Sequence, residues 1–209
     1  MDSLNIKEIK NSLDSESFKF LNNILKEENS ESILTALNND LLNKYFEILI
    51  KSKNIFLFFC QYKNENIGYA IFSSQPSFLI NEFKSLKYSI FRELIFSLKF
   101  KALTNILLSM FKIDLILLSK HNKFSINNNL NLNLLAIKKE FQSKGFGEKF
   151  INLILDDLNK DKLFKAITVE TNNINTKKFY TEKLNFFYIG KKIRLFKNQD
   201  IFLKNLKKT

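Results

Sequence analysis

Leu132–Phe150 reads LNLLAIKKEFQSKGFGEKF. A short apolar alternation runs into Gln142-Ser143-Lys144-Gly145-Phe146-Gly147 and then directly into an amphipathic helical pattern. Two of the chain's four glycines stand here, two residues apart, at a strand-to-helix junction. Glycine is required where backbone turns without a Cβ in the way or approaches another group closely. The first turn of a helix offers free N–H groups and the positive end of the helix dipole. Together these make an anion site, most often for phosphate, and a coenzyme carrying a pyrophosphate is the first ligand they suggest.

Outward from this junction the rest of the chain supplies a frame. Phe146, Phe150, Ile154 and Leu158 form an i, i+4 stripe, so a helix follows the loop. Upstream, Ile55–Tyr62 and Ile67–Ser73 are aromatic and β-branched runs joined by Lys63-Asn64-Glu65-Asn66, which predicts a hairpin. Ile6–Ile9 reads as a short first strand, Ser15–Glu28 as a helix capped by Asp14, and Ser32–Lys51 as a helix broken near Asn38-Asn39-Asp40. Downstream, Ala166–Thr171 alternates like a strand, and Asn175–Leu184 has the pattern of a short helix. Phe186–Phe196 and Ile201–Leu206 complete the set as strands around the turn Lys197–Asp200. His121–Asn131, rich in Asn, reads as a loop. Residues 77–120 carry Phe, Leu and Ile at helical spacing among scattered lysines, and read as two or three inserted helices. Such an insert serves as core packing, an active-site lid, a dimer face or a peripheral membrane contact. The expected fold is an α+β sandwich: a mixed, mostly antiparallel central sheet with helices on both faces. One domain over residues 1–209 is expected, with 77–120 inserted in it.

Composition narrows the function classes. The formal net charge of +12 suggests an anionic ligand. The lysines run from Lys7 to Lys208 without a cluster, so nucleic acid is not expected as a partner. The single Cys60 lies in an apolar run and is expected as a buried core thiol in a reducing compartment. His121 has no Cys or His at metal-ligand spacing, so no metal is expected. No apolar stretch of about 18 residues occurs and the N-terminus lacks a signal pattern, so the cytoplasm is the expected location and no membrane span is expected.

Gln142-x-x-Gly145-x-Gly147 resembles the acyl-CoA-binding signature of the GNAT N-acetyltransferase superfamily. Asn173-x-x-Thr176-x-x-Phe179-Tyr180-x-x-Lys183-Leu184-Asn185-Phe186 is similar to that family's N-x-x-A-x-x-F-Y-x-K-x-G-F. The resemblance covers 132–206 closely and the hairpin by position. The 77–120 insert resembles that of a small-molecule branch with helices at this place. It implies a GNAT-like sheet whose central strands splay at a bulge in Leu132–Ile137. Acetyl-CoA is implied as co-substrate, its pantetheine arm pairing with backbone along Leu135, Ala136 and Ile137. Its pyrophosphate is then cradled by Gln142, Ser143, Lys144, Gly145, Phe146 and Gly147, with Asn173 and Phe179 beside the arm. Tyr180 occupies the family's general-acid position, and a phenol of pKa about 10 is well matched to a leaving thiol.

The base is less evident. Many relatives place a glutamate on the strand entering the bulge, where this chain has Asn131 and Asn133. Glu170, on the next strand, is the candidate. A water chain or an amine of low basicity, such as an amino sugar, is the alternative. Thr176 replaces the usual Ala, and Asn185 replaces Gly at a position suited to left-handed backbone. The implied function is N-acylation of a small-molecule amine by a monomer or homodimer. Acetylation of a protein terminus or lysine is the rival within enzymes, and a non-catalytic acyl-CoA sensor the rival outside them.

Overall fold

The computed structural model describes residues 4–28, 33–74, 86–96, 115–118, 129–160, 164–193 and 198–206. Eight strands form one sheet: β1 (Leu4–Ile9), β2 (Ile55–Tyr62), β3 (Glu65–Ser73), β4 (Leu115–Leu118), β5 (Asn129–Ile137), β6 (Ala166–Thr171), β7 (Phe187–Ile193) and β8 (Gln199–Asn205). Their order across the sheet is β1-β2-β3-β5-β6-β8-β7-β4. Only the β5–β6 pair is parallel among those described, as a strand–helix–strand crossover requires. The mixed, mostly antiparallel sheet is the one expected.

The helices are α1 (Ser15–Glu28), α2 (Asn39–Lys51), α3 (Lys87–Phe96), α4 (Phe146–Lys160) and α5 (Ile174–Lys178). Asp14 accepts the Ser17 N–H at 2.7 Å and starts α1. Asn38 caps α2 by accepting the Leu41 N–H at 2.9 Å, after a short 3-10 turn at Ile33–Ala36. The break expected at Asn38–Asp40 is therefore real. One face of the sheet is packed by α1 and α2 through Leu21, Ile24, Leu42, Phe46 and Leu49 against Leu57, Phe59, Tyr69 and Ile71. The other is packed by α4 through Phe150, Ile154 and Leu158 against Phe58, Cys60, Phe72, Leu130, Leu132, Ile167 and Val169. Cys60 is buried in that core, as expected.

Several boundaries differ from the sequence reading. The hairpin turn is the two residues Lys63 and Asn64, with φ of 50° and 63°. Both central residues in the left-handed region is the pattern that matches strand twist in a two-residue hairpin. In the 77–120 stretch α3 is helical as expected, but Leu115–Leu118 is an edge strand against β7. Four apolar residues in a row have no period that separates strand from helix. Strand β5 opens at Asn129, inside the expected loop, because Asn129 and Asn131 alternate with leucines and point to one face. The remainder of 77–120, and residues 121–128 of the expected loop, lie outside the described residues. No helix among the described residues is long and apolar enough to cross a membrane.

Candidate active site

The site is built on a fork between β5 and β6. These strands pair only from Asn129 opposite Ala166 to Leu132 opposite Val169. On its other edge β5 continues against β3 as far as Ile137 opposite Gly68, with a register slip between Leu132 and Leu134. Asn133 is the extra residue. Leu132 packs into the α4 core while Leu134, two residues on, packs towards α1 and α2, so the alternation is broken there. A bulge raises local twist and turns a strand away from its neighbour. Beyond it, Leu134–Ile137 on one side and Glu170–Thr171 on the other have no strand partner across the fork. Unpaired strand backbone is a ready partner for an extended ligand that carries amides.

The glycine loop closes the end of the fork. Lys138 N–H donates to Ile67 C=O at 2.8 Å, a 3-10 turn covers Lys139–Phe141, and Gln142–Gly145 turn into α4. Ser143 and Gly145 both have positive φ, 59° and 81°. Such alternation directs successive N–H groups into one concavity, a backbone anion nest. Rings of Tyr62, Phe141 and Phe146 meet edge to face at centroid separations of 5.0–6.1 Å and pin the loop to the end of the hairpin. The Gln142 side chain turns back on its own support: Nε2 donates to Ile137 C=O at 2.8 Å and to the Glu28 carboxylate at 2.6 Å. It thus fixes the loop and occupies the Ile137 carbonyl, while Lys144 stays exposed.

The loop fits a pyrophosphate by the space it keeps. A Cβ built on Gly145 would meet nothing within 4 Å, so its positive φ alone accounts for glycine. At Gly147, in the first turn of α4, a Cβ would lie in ordinary contact 3.5 Å from the Phe179 ring. Neither packing nor backbone conformation demands glycine at 147.

Tyr180 approaches from the α4 face. Asn173 accepts the Thr176 N–H at 3.1 Å and caps α5, so its amide oxygen serves as a cap. The helix then widens into a π turn, Phe179–Lys183, closed by Leu184 N–H on Phe179 C=O at 3.3 Å. The chain has one residue more between Tyr180 and Lys183 than the family pattern, and a π turn absorbs one residue. Tyr180 is 4% exposed, packed in the core of Leu132, Ile137 and Val169 and flanked by Phe179 and Phe186 at 5.3 and 5.4 Å. Its hydroxyl has no hydrogen-bond partner among the described residues. Burial pushes the phenol above its ordinary range, which keeps it protonated but removes the close match to a leaving thiol expected from the sequence. Asn185 takes φ 57°, the left-handed exit expected where the family has glycine.

The α1/α2 face of the fork is polar. Both Glu170 oxygens receive the Lys192 ammonium of β7, at 3.1 and 3.2 Å. Beside them Asn133 Nδ2 donates to Ser73 Oγ at 2.9 Å and to Asn131 C=O at 3.2 Å, and Thr168 Oγ1 donates to Asn131 Oδ1. Ser73, Thr168 and Lys192 were not singled out from sequence. The Asn-Leu alternation of 129–134 was the available signal for the first two. Lys192 lies two strands from Glu170 and had none.

No protein-family model matches the sequence, and no curated protein sequence does. Solved structures do match the fold. The aminoglycoside 6'-acetyltransferase type Ii superposes with a TM-score of 0.60 at 10% identity, over 98% of this chain and 99% of that one. A GNAT-family acetyltransferase from Streptococcus pneumoniae gives 0.55 at 12% identity, over 98% and 100%. The ribosomal-protein-S18-alanine N-acetyltransferase from Escherichia coli gives 0.55 at 10% identity, over 99% and 96%. The chain has the GNAT acetyltransferase fold.

Proposed function

We propose that this GNAT-fold chain is an acetyl-CoA-dependent N-acyltransferase acting on a primary amine of a small molecule, with amino sugars the first class to screen. The observation that carries the reading is the coincidence of three features: the β5–β6 fork, the glycine nest at its end, and a glycine at 147 that the chain itself does not need. The matching of solved acetyltransferases of low identity supports it at the level of fold.

Acetyl-CoA supplies an activated acetyl group as a thioester. The chain's part begins with binding: amides of Ser143–Gly147 face the pyrophosphate, and the free edge of Leu134–Ala136 receives the amides of the arm. Leu135 and Ala136 are thereby the backbone contacts, with Phe179 lining the nest beside Gly147. Tyr180, at the position of the resembled family's general acid, is the candidate to give its Oη proton to the departing sulfur. Glu170 is the candidate to receive a proton from the acceptor, with Lys192 orienting its carboxylate.

Thermal melting with and without acetyl-CoA tests the coenzyme site. A ligand at a hundredfold its Kd adds about 2.7 kcal/mol, which for a chain of this size raises Tm by roughly 5–10 °C. Thiol release with a panel of amines then tests transfer. An unchanged Tm refutes the assignment.

A further inference from the structure

A groove of about 460 Å³ runs between α1 and α2, from Ser15 to Asn23 on one helix and from Asn39 to Asn43 on the other. That volume suits a small ligand. None of its lining residues belongs to β5, β6 or the glycine loop, which meets α1 at its last residue, Glu28. Within the groove Asn22 is 4% exposed, in a helix whose other buried residues are Leu21, Ile24 and Leu25. Its Nδ2 donates to Asn43 Oδ1 at 2.8 Å, while its Oδ1 is buried without a partner among the described residues. A buried amide oxygen left unpaired is costly and uncommon. Turning both amides over would pair that oxygen with Asn43 but leave the Asn22 NH2 unpaired in its place, so the demand for a partner stays. The neighbouring amides complement it. Lys26 Nζ donates to Asn39 Oδ1 at 2.6 Å, and Asn43 Oδ1 is taken by Asn22. The NH2 groups of Asn39 and Asn43 have no acceptor among the described residues, and no carboxylate is among the lining side chains. One acceptor therefore stands among several donors. A phosphate or carboxylate, all acceptor, would oppose Asn22 Oδ1, and an ammonium, all donor, would leave the NH2 groups unpaired. A hydroxyl answers both, because it donates and accepts. Half-buried Phe18 adds an apolar ring to the same lining.

We propose that the α1/α2 groove is a carbohydrate-binding site for a neutral pyranose, separate from the fork. One sugar hydroxyl donates to Asn22 Oδ1, others accept from the Asn39 and Asn43 NH2 groups, and the C–H face of the ring lies on Phe18. No bond is made or broken there. The site goes beyond the acyltransferase reading and stands without it, since it shares no lining residue with the fork.

The test is an NMR titration of the isotope-labelled full chain with glucose, galactose and N-acetylglucosamine, each to about 50 mM, enough to fill a millimolar site. At least one sugar is expected to shift the side-chain NH2 signals of Asn22, Asn39 and Asn43 saturably. The backbone amides of Gly145 and Gly147 stay where they are, and the titration is the same with acetyl-CoA present. Asn22→Leu, similar in size but apolar, should raise the Kd of that sugar about tenfold or more, read from the Asn39 and Asn43 signals, with Tm equal to wild type or higher. Phe18→Ala should weaken binding several-fold. No saturable shift with any of the three sugars overturns the inference and leaves Asn22 Oδ1 to a trapped water. Shifts centred on Gly145 and Gly147 also overturn it, because they place the sugar in the fork. An unchanged Kd with a lower Tm in Asn22→Leu overturns it too, and marks the amide pair as a device for packing α1 on α2. If Asn22→Leu does not fold, Asn43→Ala decides by the same measures.

Discussion

Replacing Gly147 by alanine should make the protein more stable and worse at binding its coenzyme. Gly147 is the second residue of α4 and has no positive φ to accommodate. The added Cβ would sit 3.5 Å from Phe179 Cζ and 3.9 Å from Ile137 Cγ1, ordinary contacts that require no movement. Alanine in a helix gains roughly 0.5–1 kcal/mol over glycine. With no steric cost to offset this, the melting temperature without ligand should rise by about 1–4 °C. The same methyl group stands where a phosphate would approach the helix N-terminus. If affinity falls a hundredfold, a concentration of acetyl-CoA that stabilises wild type by about 2.7 kcal/mol stabilises the variant by only about 0.4 kcal/mol. Melting curves of both proteins with and without acetyl-CoA contain the whole test. Gly145→Ala is the internal contrast, because φ of 81° makes alanine strained there and lowers stability without ligand. A Gly147→Ala protein less stable than wild type, or one that keeps the full acetyl-CoA shift, would refute the claim that glycine is there for the ligand.

Tyr180→Phe should slow thiol release by about a hundredfold or more, the contribution of a positioned general acid, with Tm close to that of wild type. An unchanged release rate would show that Tyr180 is not the acid. Gly68→Ala would place a Cβ 2.6 Å from the Ala136 carbonyl oxygen and against Ile137 Cδ1, displacing the free edge of β5. A loss of about 1–3 kcal/mol in urea unfolding is expected, and a neutral result would contradict the packing described. Burial pushes the Cys60 thiol up to about 12, whereas in the unfolded chain it ionises near 8.5–9. The unfolded state therefore sheds its proton first, and stability should fall as pH rises from about 9, by about 1.4 kcal/mol per pH unit. Cys60→Ala should lose this slope below pH 10, as read from urea midpoints; an identical slope would locate the effect elsewhere.

What was legible in the sequence was what backbone chemistry forces on residue choice. Glycine at 145, asparagine at 185, the cap Asp14 and the helix break at Asn38–Asp40 are local requirements, visible without knowing the neighbours. The hairpin was visible for the same reason, although its turn proved tighter than expected. Hidden features were those set across the chain. Leu115–Leu118 is a strand only because β7 offers it an edge. Asn131 looks like a loop residue until Ser73 and Thr168 supply its partners. Gln142 carries the signature by position, yet its side chain is spent on Ile137 and Glu28. The π turn had one cue, the extra residue between Tyr180 and Lys183, which is recognisable only once the helix is seen to widen.

The order of the strands has a consequence for how the molecule is made. The hairpin β2–β3 pairs neighbours in sequence and can form early, with β1 added to its edge. The other half cannot be assembled in chain order, because β8 follows β7 yet lies between β7 and β6. Until β8 slots into place, β6 has only its four-residue parallel ladder with β5 to hold it. Pairings between distant segments are slow to form, so the second wall of the coenzyme fork is the last part of the sheet to set. On the proposed reading, acquisition of acetyl-CoA binding during refolding should run behind the burial of the hairpin core and time the docking of β8 on β6.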